Sequence, residues 1–152
     1  MITPETSDIV NAIAIVESDC RNVAGDGGRA ISIYQIHEAF WLDVYSFKVK
    51  HKIPLDIGVN WRDIGFDNAT SRALATNTCA IGVEMIEEYL DTHSANATPE
   101  NIYAAYTVGR KAFHVCGFNI NDPGFPVFKR AKCRRVGELV RHANQFNLAH
   151  TD

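Results

Sequence analysis

The sequence predicts an α+β fold that is mainly α, with a central helix and a small β-hairpin. Apolar residues recur at spacings of three and four in several long segments, and one glycine-rich turn is the only good candidate for β-structure. The 152 residues, 46% hydrophobic and 22% charged, fit one globular domain spanning residues 1–152 with a core large enough to hold a cleft. This composition excludes disordered, collagen-like and coiled-coil chains.

The first half of the chain predicts two helices separated by the hairpin. Helical periodicity covers residues 6–20, with Ser7 as the N-cap. Residues 22–29 contain the turn Gly25-Asp26-Gly27-Gly28 between two short segments that can pair as a hairpin. A second helix is predicted over residues 36–45, where three side chains face inward: Phe40, Trp41 and Val44.

The second half predicts three further helices. The longest regular segment begins at a cap, Asp67 or Asn68, and ends near Thr92, which makes it the predicted central helix. A helix over residues 99–108 follows the capping side chain of Thr98 and stops at Gly109. The last helix is predicted over residues 128–146.

Charge and cysteine content narrow the function classes. Residues 1–109 hold 7 Lys+Arg against 15 Asp+Glu, whereas residues 110–152 hold 8 against 3. A basic segment either attracts an anionic polymer or forms a solvated helix face. Because no nucleic-acid-binding motif accompanies it, we expect no nucleic acid as partner. The four cysteines lack zinc-like spacing, which predicts no metal and no cofactor.

The cysteines leave two alternatives open. An even number permits two disulfides, with Cys116–Cys133 favoured because it would close the loop between them, and the other possibility is four buried thiols. No apolar run reaches the roughly 18 residues of a membrane span, so none is expected. The N-terminal residues do not have the pattern of a signal peptide.

Glu17 is the first candidate for chemistry. It lies in the last turn of an apolar helix, beside Val16 and four residues after Ile13. The partial negative charge at a helix C-terminus and desolvation both favour a protonated carboxyl, which suits a general acid. The alternative is a solvated surface carboxylate without a catalytic role.

Three blocks follow one another in the chain. They are Glu17-Ser18-Asp19, the run Gly25-Asp26-Gly27-Gly28-Arg29-Ala30-Ile31-Ser32-Ile33-Tyr34-Gln35-Ile36, and Ala104-Ala105-Tyr106-Thr107-Val108-Gly109. Together they resemble the lysozyme-like superfamily, and most of all its branch of goose-type lysozymes and soluble lytic transglycosylases. That branch has a Glu-Ser at a helix end, a glycine-rich turn, an Ala-x-Gly-x-x-Gln-Ile/Val run and an Ala-x-Tyr-Asn-x-Gly block. The resemblance implies a lysozyme-like fold whose hairpin flanks a saccharide cleft.

The resemblance also implies roles for individual residues. Glu17 would be the catalytic acid, Gln35 would line the sugar cleft, and Tyr106 would lie near Glu17 from the opposite side. Asp26 falls where goose-type enzymes keep an acidic residue that positions water, which favours hydrolysis. Lytic transglycosylases need no second carboxylate, because the 6-hydroxyl of the muramic acid attacks and a 1,6-anhydro product forms. Tyr34 is either a sugar platform or a core aromatic.

Three positions depart from the family pattern at places that face the substrate. Ser32 replaces a glycine and adds a side chain where the backbone approaches the sugar. Thr107 replaces an asparagine and offers one hydroxyl in place of an amide. His37 replaces a second acid, and it can still orient water.

The function implied is that of a monomeric muramidase that cleaves the β-1,4 bond between N-acetylmuramic acid and N-acetylglucosamine in peptidoglycan. We expect it to be secreted, periplasmic or attached to the cell wall, with an antimicrobial or wall-degrading role. Basic residues near the C-terminus would hold it on an anionic wall: Lys129, Arg130, Lys132, Arg134 and Arg135. The alternatives are a lytic transglycosylase, a chitin-cleaving relative and a non-catalytic saccharide-binding module.

Overall fold

The computed structural model describes residues 3–149, with side chains up to residue 145. It is mainly helical with one small antiparallel sheet, which confirms the predicted α+β, mainly α class. The elements run in the order α1 (Pro4–Ser18), β1 (Ala30–Ile31), β2 (Ile36–His37), α2 (Glu38–Lys50), α3 (Ala69–Thr92), α4 (Pro99–Val108), α5 (Arg110–Val115) and α6 (Val127–Ala149). Two 3-10 helices, Asp26–Gly28 and Trp61–Ile64, lie before β1 and before α3.

The chain divides into two compact units. One consists of Ile13–Met85, and the other of the described residues on either side of that segment. The boundaries fall within α1 and α3, so each of these helices contributes one end to each unit.

The unit Ile13–Met85 contains the sheet, α2 and both 3-10 helices. Two tryptophans of this unit donate hydrogen bonds to backbone carbonyls in distant segments of it. The indole of Trp61 donates to the carbonyl of Ile36 at 2.9 Å, and the indole of Trp41 donates to the carbonyl of Ile57 at 3.1 Å. Both rings are buried, as Trp41 was predicted to be, and the two hydrogen bonds satisfy the polar groups that such rings carry into a core. Val44 is also buried as predicted, while Phe40 is half-buried.

Two predicted helix starts in this half of the chain are wrong. Helix α1 begins at Pro4, because the hydroxyl oxygen of Thr3 accepts from the backbone N–H of Thr6 at 3.1 Å and so takes the capping role expected of Ser7. Helix α2 begins at Glu38 and continues to Lys50, because the preceding residues, Ile36 and His37, pair with β1.

The β-hairpin lies later in the chain than predicted. The strands pair Ala30 with His37 and Ile31 with Ile36, so their connection is the turn over residues 32–35. The glycine-rich segment instead forms the 3-10 turn, which is closed by an isolated bridge between Gly25 and Ala30 with hydrogen bonds of 2.9 and 3.1 Å. The predicted turn therefore exists, but the strands that form the sheet follow it.

The second unit contains α4, α5 and α6, and α4 packs against both of the others. Helix α4 has the predicted bounds: the Thr98 hydroxyl accepts from the N–H of Asn101 at 3.2 Å, and Gly109 ends the helix with φ 96°. The short helix α5 was not predicted, and α6 extends beyond the predicted 128–146. A Cβ at Gly137 would overlap the carboxyl of Glu100, so this glycine leaves room for that side chain where α6 meets α4.

The predicted central helix is α3, and it is the longest helix described. The side chain of Asn68 accepts from the N–H of Ser71 at 2.8 Å, in agreement with one of the two predicted caps, and the helix ends at Thr92 as predicted. No helix in the described part of the chain is long and apolar enough to cross a membrane.

The four cysteines are free thiols, so the predicted Cys116–Cys133 disulfide is wrong. Cys133 is fully buried on α6, and burial raises its pKa to about 11. Cys116 follows α5, where burial and then the neighbouring carboxylate of Asp122 raise the pKa of its thiol. The alternative of four buried thiols holds for three of them, because Cys20 is exposed.

Candidate active site

Glu17 is half-buried in the last turn of α1, and the residue after it fixes the position of that turn. The hydroxyl of Ser18 lies 2.6 Å from the carbonyl of Ile33 in the hairpin turn and 3.2 Å from the carbonyl of Ala14. A hydroxyl donates one hydrogen, so the shorter contact takes it. The C-terminus of α1 is thus attached directly to the hairpin, and Glu17 lies at the point of attachment.

Asp26 belongs to an exposed cluster with two basic side chains. Its Oδ1 accepts from the guanidinium of Arg29 at 3.1 Å, and its Oδ2 lies 2.9 Å from Nε2 of His37. The hydrogen bond with His37, followed by the charge of Arg29, holds the pKa of Asp26 below its usual 3.8. The structure therefore brings together Asp26 and His37, which the sequence identified as separate candidates.

Gln35 connects the two turns of this region. Its side-chain nitrogen donates to the carbonyl of Val23 at 2.7 Å and to the carbonyl of Ser32 at 3.0 Å, which uses both of its hydrogens. A Cβ at Gly25 would overlap the side-chain oxygen of Gln35, so any other residue there would displace this amide. The amide has a structural role here, and its predicted contact with a sugar stays a prediction.

Ser32 and Tyr34 face the protein interior, each with 3% of its surface exposed. The hydroxyl of Ser32 accepts from the N–H of Tyr34 at 3.1 Å and stabilises a turn in which Ser32 has φ 71°. The hydroxyl of Tyr34 pairs with Thr76 at 2.8 Å, and burial raises the pKa of Tyr34 to about 12. Of the two alternatives for Tyr34, its burial agrees with the core aromatic, and its predicted contact with a sugar stays a prediction. The predicted contact of Ser32 with a sugar stays a prediction.

A small surface depression lies against the hairpin turn, and sequence analysis missed most of its lining. It is lined by Asn22, Ser32, Ile33, Ile64, Phe66, Arg72 and Ala75. Phe66 is 59% exposed, and the Arg72 guanidinium is only loosely paired with Asp67 at 3.9 Å. These residues carry no motif, because they come from four separate segments: the loop after α1, the hairpin turn, the second 3-10 helix with the residues after it, and α3.

Tyr106 and Thr107 lie on α4, in the other unit. Tyr106 is half-buried and stacks on Tyr103, with ring centroids 6.2 Å apart. The backbone carbonyl of Thr107 accepts from Nζ of Lys129 at 3.0 Å. Their predicted roles beside Glu17 stay predictions.

Among residues 3–145, no group of three or more histidine, cysteine or acidic side chains is arranged to hold a metal ion. Comparison with protein-family models, with curated proteins and with solved structures finds no match for this chain.

Proposed function

We propose that the protein is a lysozyme-like muramidase that acts outside the cytoplasm and cleaves the β-1,4 bond between N-acetylmuramic acid and N-acetylglucosamine. One observation carries the proposal: Glu17 lies in the last turn of α1, next to Ser18, whose hydroxyl attaches the helix to the hairpin turn at 2.6 Å. A general acid needs a fixed position relative to the bond it protonates, and this attachment supplies one. The order of helix end, glycine turn and hairpin also agrees with the family pattern.

In the proposed reaction, Glu17 donates its proton to the glycosidic oxygen. The bond between that oxygen and C1 of the muramic acid breaks, and the C1 centre acquires oxocarbenium character. Water then attacks C1 and loses a proton to a base, which completes hydrolysis. Asp26 is the candidate base, and its hydrogen bond with His37 offers a second group that can orient the water.

The contacts of Asp26 with basic side chains favour a second candidate function, that of a lytic transglycosylase. Both carboxylate oxygens of Asp26 contact a basic side chain, and its pKa is lowered, so it is a weak proton acceptor. In a transglycosylase the 6-hydroxyl of the muramic acid attacks C1 and no second carboxylate is required. Asp26 would then have only a structural role in the turn.

The deciding experiment is mass spectrometry of the muropeptides released from purified peptidoglycan. We expect the wild type to release products and Glu17→Gln to release none. Glu5→Gln serves as the matched control, because Glu5 is an exposed carboxylate in the first turn of the same helix. Reducing-end products that also depend on Asp26 support the muramidase. If Glu17→Gln cuts as well as Glu5→Gln, the proposal fails.

The remaining alternatives have their own outcomes in this assay. Products with 1,6-anhydro ends that persist in Asp26→Asn identify the transglycosylase. Cleavage of chitin oligomers in preference to peptidoglycan identifies a chitin-cleaving relative. Binding to peptidoglycan without cleavage by either the wild type or Glu17→Gln identifies a non-catalytic saccharide-binding module.

A further inference from the structure

Two exposed histidines face each other in the unit that does not contain Glu17. His93 follows the C-terminus of α3, and His114 lies on α5. Their ring centroids are 4.5 Å apart at an interplanar angle of 62°. These two imidazoles, one just after α3 and one on α5, form a histidine pair that neither the motifs nor the proposed function explains.

Tyr89 orients both rings of the histidine pair. Nδ1 of His93 lies 2.8 Å from the backbone carbonyl of Tyr89, and Nδ1 of His114 lies 3.1 Å from the Tyr89 hydroxyl. A carbonyl can only accept, so Nδ1 of His93 carries the hydrogen and the lone pair of the neutral ring is on Nε2. If Nδ1 of His114 likewise donates to the hydroxyl, its Nε2 lone pair is available as well.

This arrangement is the one that metal-binding histidines use. A ligating imidazole typically donates its other N–H to a carbonyl or another oxygen, which fixes the tautomer and the ring orientation. Phe118 adds a further constraint, because it stacks on His114 with centroids 4.8 Å apart at 16°. Both Nδ1 atoms are occupied by one residue, and within the described part of the chain neither Nε2 has a hydrogen-bond partner.

We propose that His93 and His114 bind a divalent transition metal ion through their Nε2 atoms, with water completing its coordination. Imidazole ligands suit Zn²⁺, Ni²⁺ and Cu²⁺ and do not suit Mg²⁺. The guanidinium of Arg110 lies 5.5 Å from the Tyr89 ring centroid, and its charge opposes a cation nearby. The site is therefore an exposed, exchangeable one, unlike a closed structural site with four protein ligands.

Calorimetric titration with Ni²⁺ and with Mg²⁺ tests the proposal directly. The titration uses a Cys20→Ser background, because Cys20 is an exposed thiol that can itself bind metal. We expect one saturable Ni²⁺ site and no Mg²⁺ binding. His93→Ala and His114→Ala should each weaken Ni²⁺ binding by at least about tenfold. Circular dichroism checks that these surface variants remain folded.

Two further variants distinguish a site formed by both histidines from the affinity of any single exposed histidine for Ni²⁺. His51→Ala is the matched control, since His51 also packs against an aromatic ring, that of Phe47, with centroids 4.1 Å apart. We expect this variant to bind Ni²⁺ as the background protein does. Tyr89→Phe removes the hydroxyl beside His114 and should weaken binding about tenfold while leaving both ligands in place.

Paramagnetic broadening gives an independent readout. Substoichiometric Ni²⁺ should broaden the imidazole NMR signals of His93 and His114 together and leave that of His51 sharp. The proposal is overturned if His93→Ala or His114→Ala retains the background affinity, or if His51→Ala loses as much. Broadening of only one of the two imidazoles would also overturn it, because the pair would not be acting as one site.

Discussion

The attachment of α1 to the hairpin predicts a measurable loss of stability in Ser18→Ala. Ser18 is 8% exposed, and its hydroxyl donates to the carbonyl of Ile33 at 2.6 Å. Alanine removes this donor and leaves the carbonyl of Ile33 without its hydrogen bond in a partly buried position. Such a loss costs about 1–3 kcal/mol, and we expect about 2 kcal/mol here. In a chain of this length that lowers the melting temperature by about 4–8 °C.

Urea and thermal unfolding followed by circular dichroism measure this effect. Ser7→Ala is the matched control, because Ser7 lies on the same helix but Thr3 provides the cap. We expect Ser7→Ala to change the free energy of unfolding by less than about 0.5 kcal/mol. If Ser18→Ala is no more destabilising than Ser7→Ala, the hydroxyl does not hold the helix end, and the argument for a fixed Glu17 loses its basis.

Three other predictions test the packing, the capping and the charges. A Cβ at Gly82 would overlap the ring of Phe40, so Gly82→Ala should destabilise by about 1–3 kcal/mol in urea unfolding; an unchanged midpoint would contradict this contact. Thr98→Ala removes the α4 cap and should cost about 1 kcal/mol, measured in the same way. The carboxyl of Asp26 should titrate below 3.8 by NMR, and its pKa should rise in His37→Ala, because the lost hydrogen bond favours the ionised form.

The lowered pKa of Asp26 determines how its contribution to stability depends on pH. The ionised carboxylate is favoured in the folded chain, so whatever stability it adds is present above the pKa of the unfolded chain. That contribution disappears as the pH falls through the folded value. In His37→Ala the folded pKa is higher, so this contribution should be smaller and its loss should be complete at a higher pH.

The sequence predicted helix bounds well where the signals at the helix ends are local. Helix α4 has its predicted bounds, since a capping threonine, a proline at the first position and a terminal glycine all lie within the helix or next to it. The hairpin was displaced because strand pairing depends on contacts that a local pattern does not contain. Ile36 was assigned to a helix by its periodicity, but its carbonyl accepts from the indole of Trp61, 25 residues later in the chain.

The candidate site was predicted in part for the same reason. Glu17 at a helix end is a local feature, and the structure places it there. The pairing of Asp26 with His37 crosses 11 residues and depends on the sheet, so the sequence supplied both residues without their contact. Tyr34 was ambiguous because an aromatic residue in a turn has the same pattern whether it faces a ligand or the core.

The basic residues of α6 show how one charge pattern can have two roles. Arg130 donates to two carbonyls of the loop before the helix, at 2.6 and 2.8 Å, and Arg134 donates to an asparagine of that loop at 3.1 Å. Lys129 donates to the carbonyl at the end of α4. These cations therefore stabilise the fold in a segment that the sequence suggested was available for an anionic partner.

Lys129, Arg130 and Arg134 nevertheless keep their positive charge, and Lys132 and Arg135 are exposed on the same helix. An anionic wall would therefore be attracted mainly through the summed field of α6, with few directed contacts from Lys129, Arg130 or Arg134. A field of this kind is screened over about 8 Å at physiological ionic strength. Wall binding that arises in this way weakens as salt increases, whereas a directed, partly buried contact loses much less. Salt dependence therefore separates attraction by the helix from recognition in a cleft.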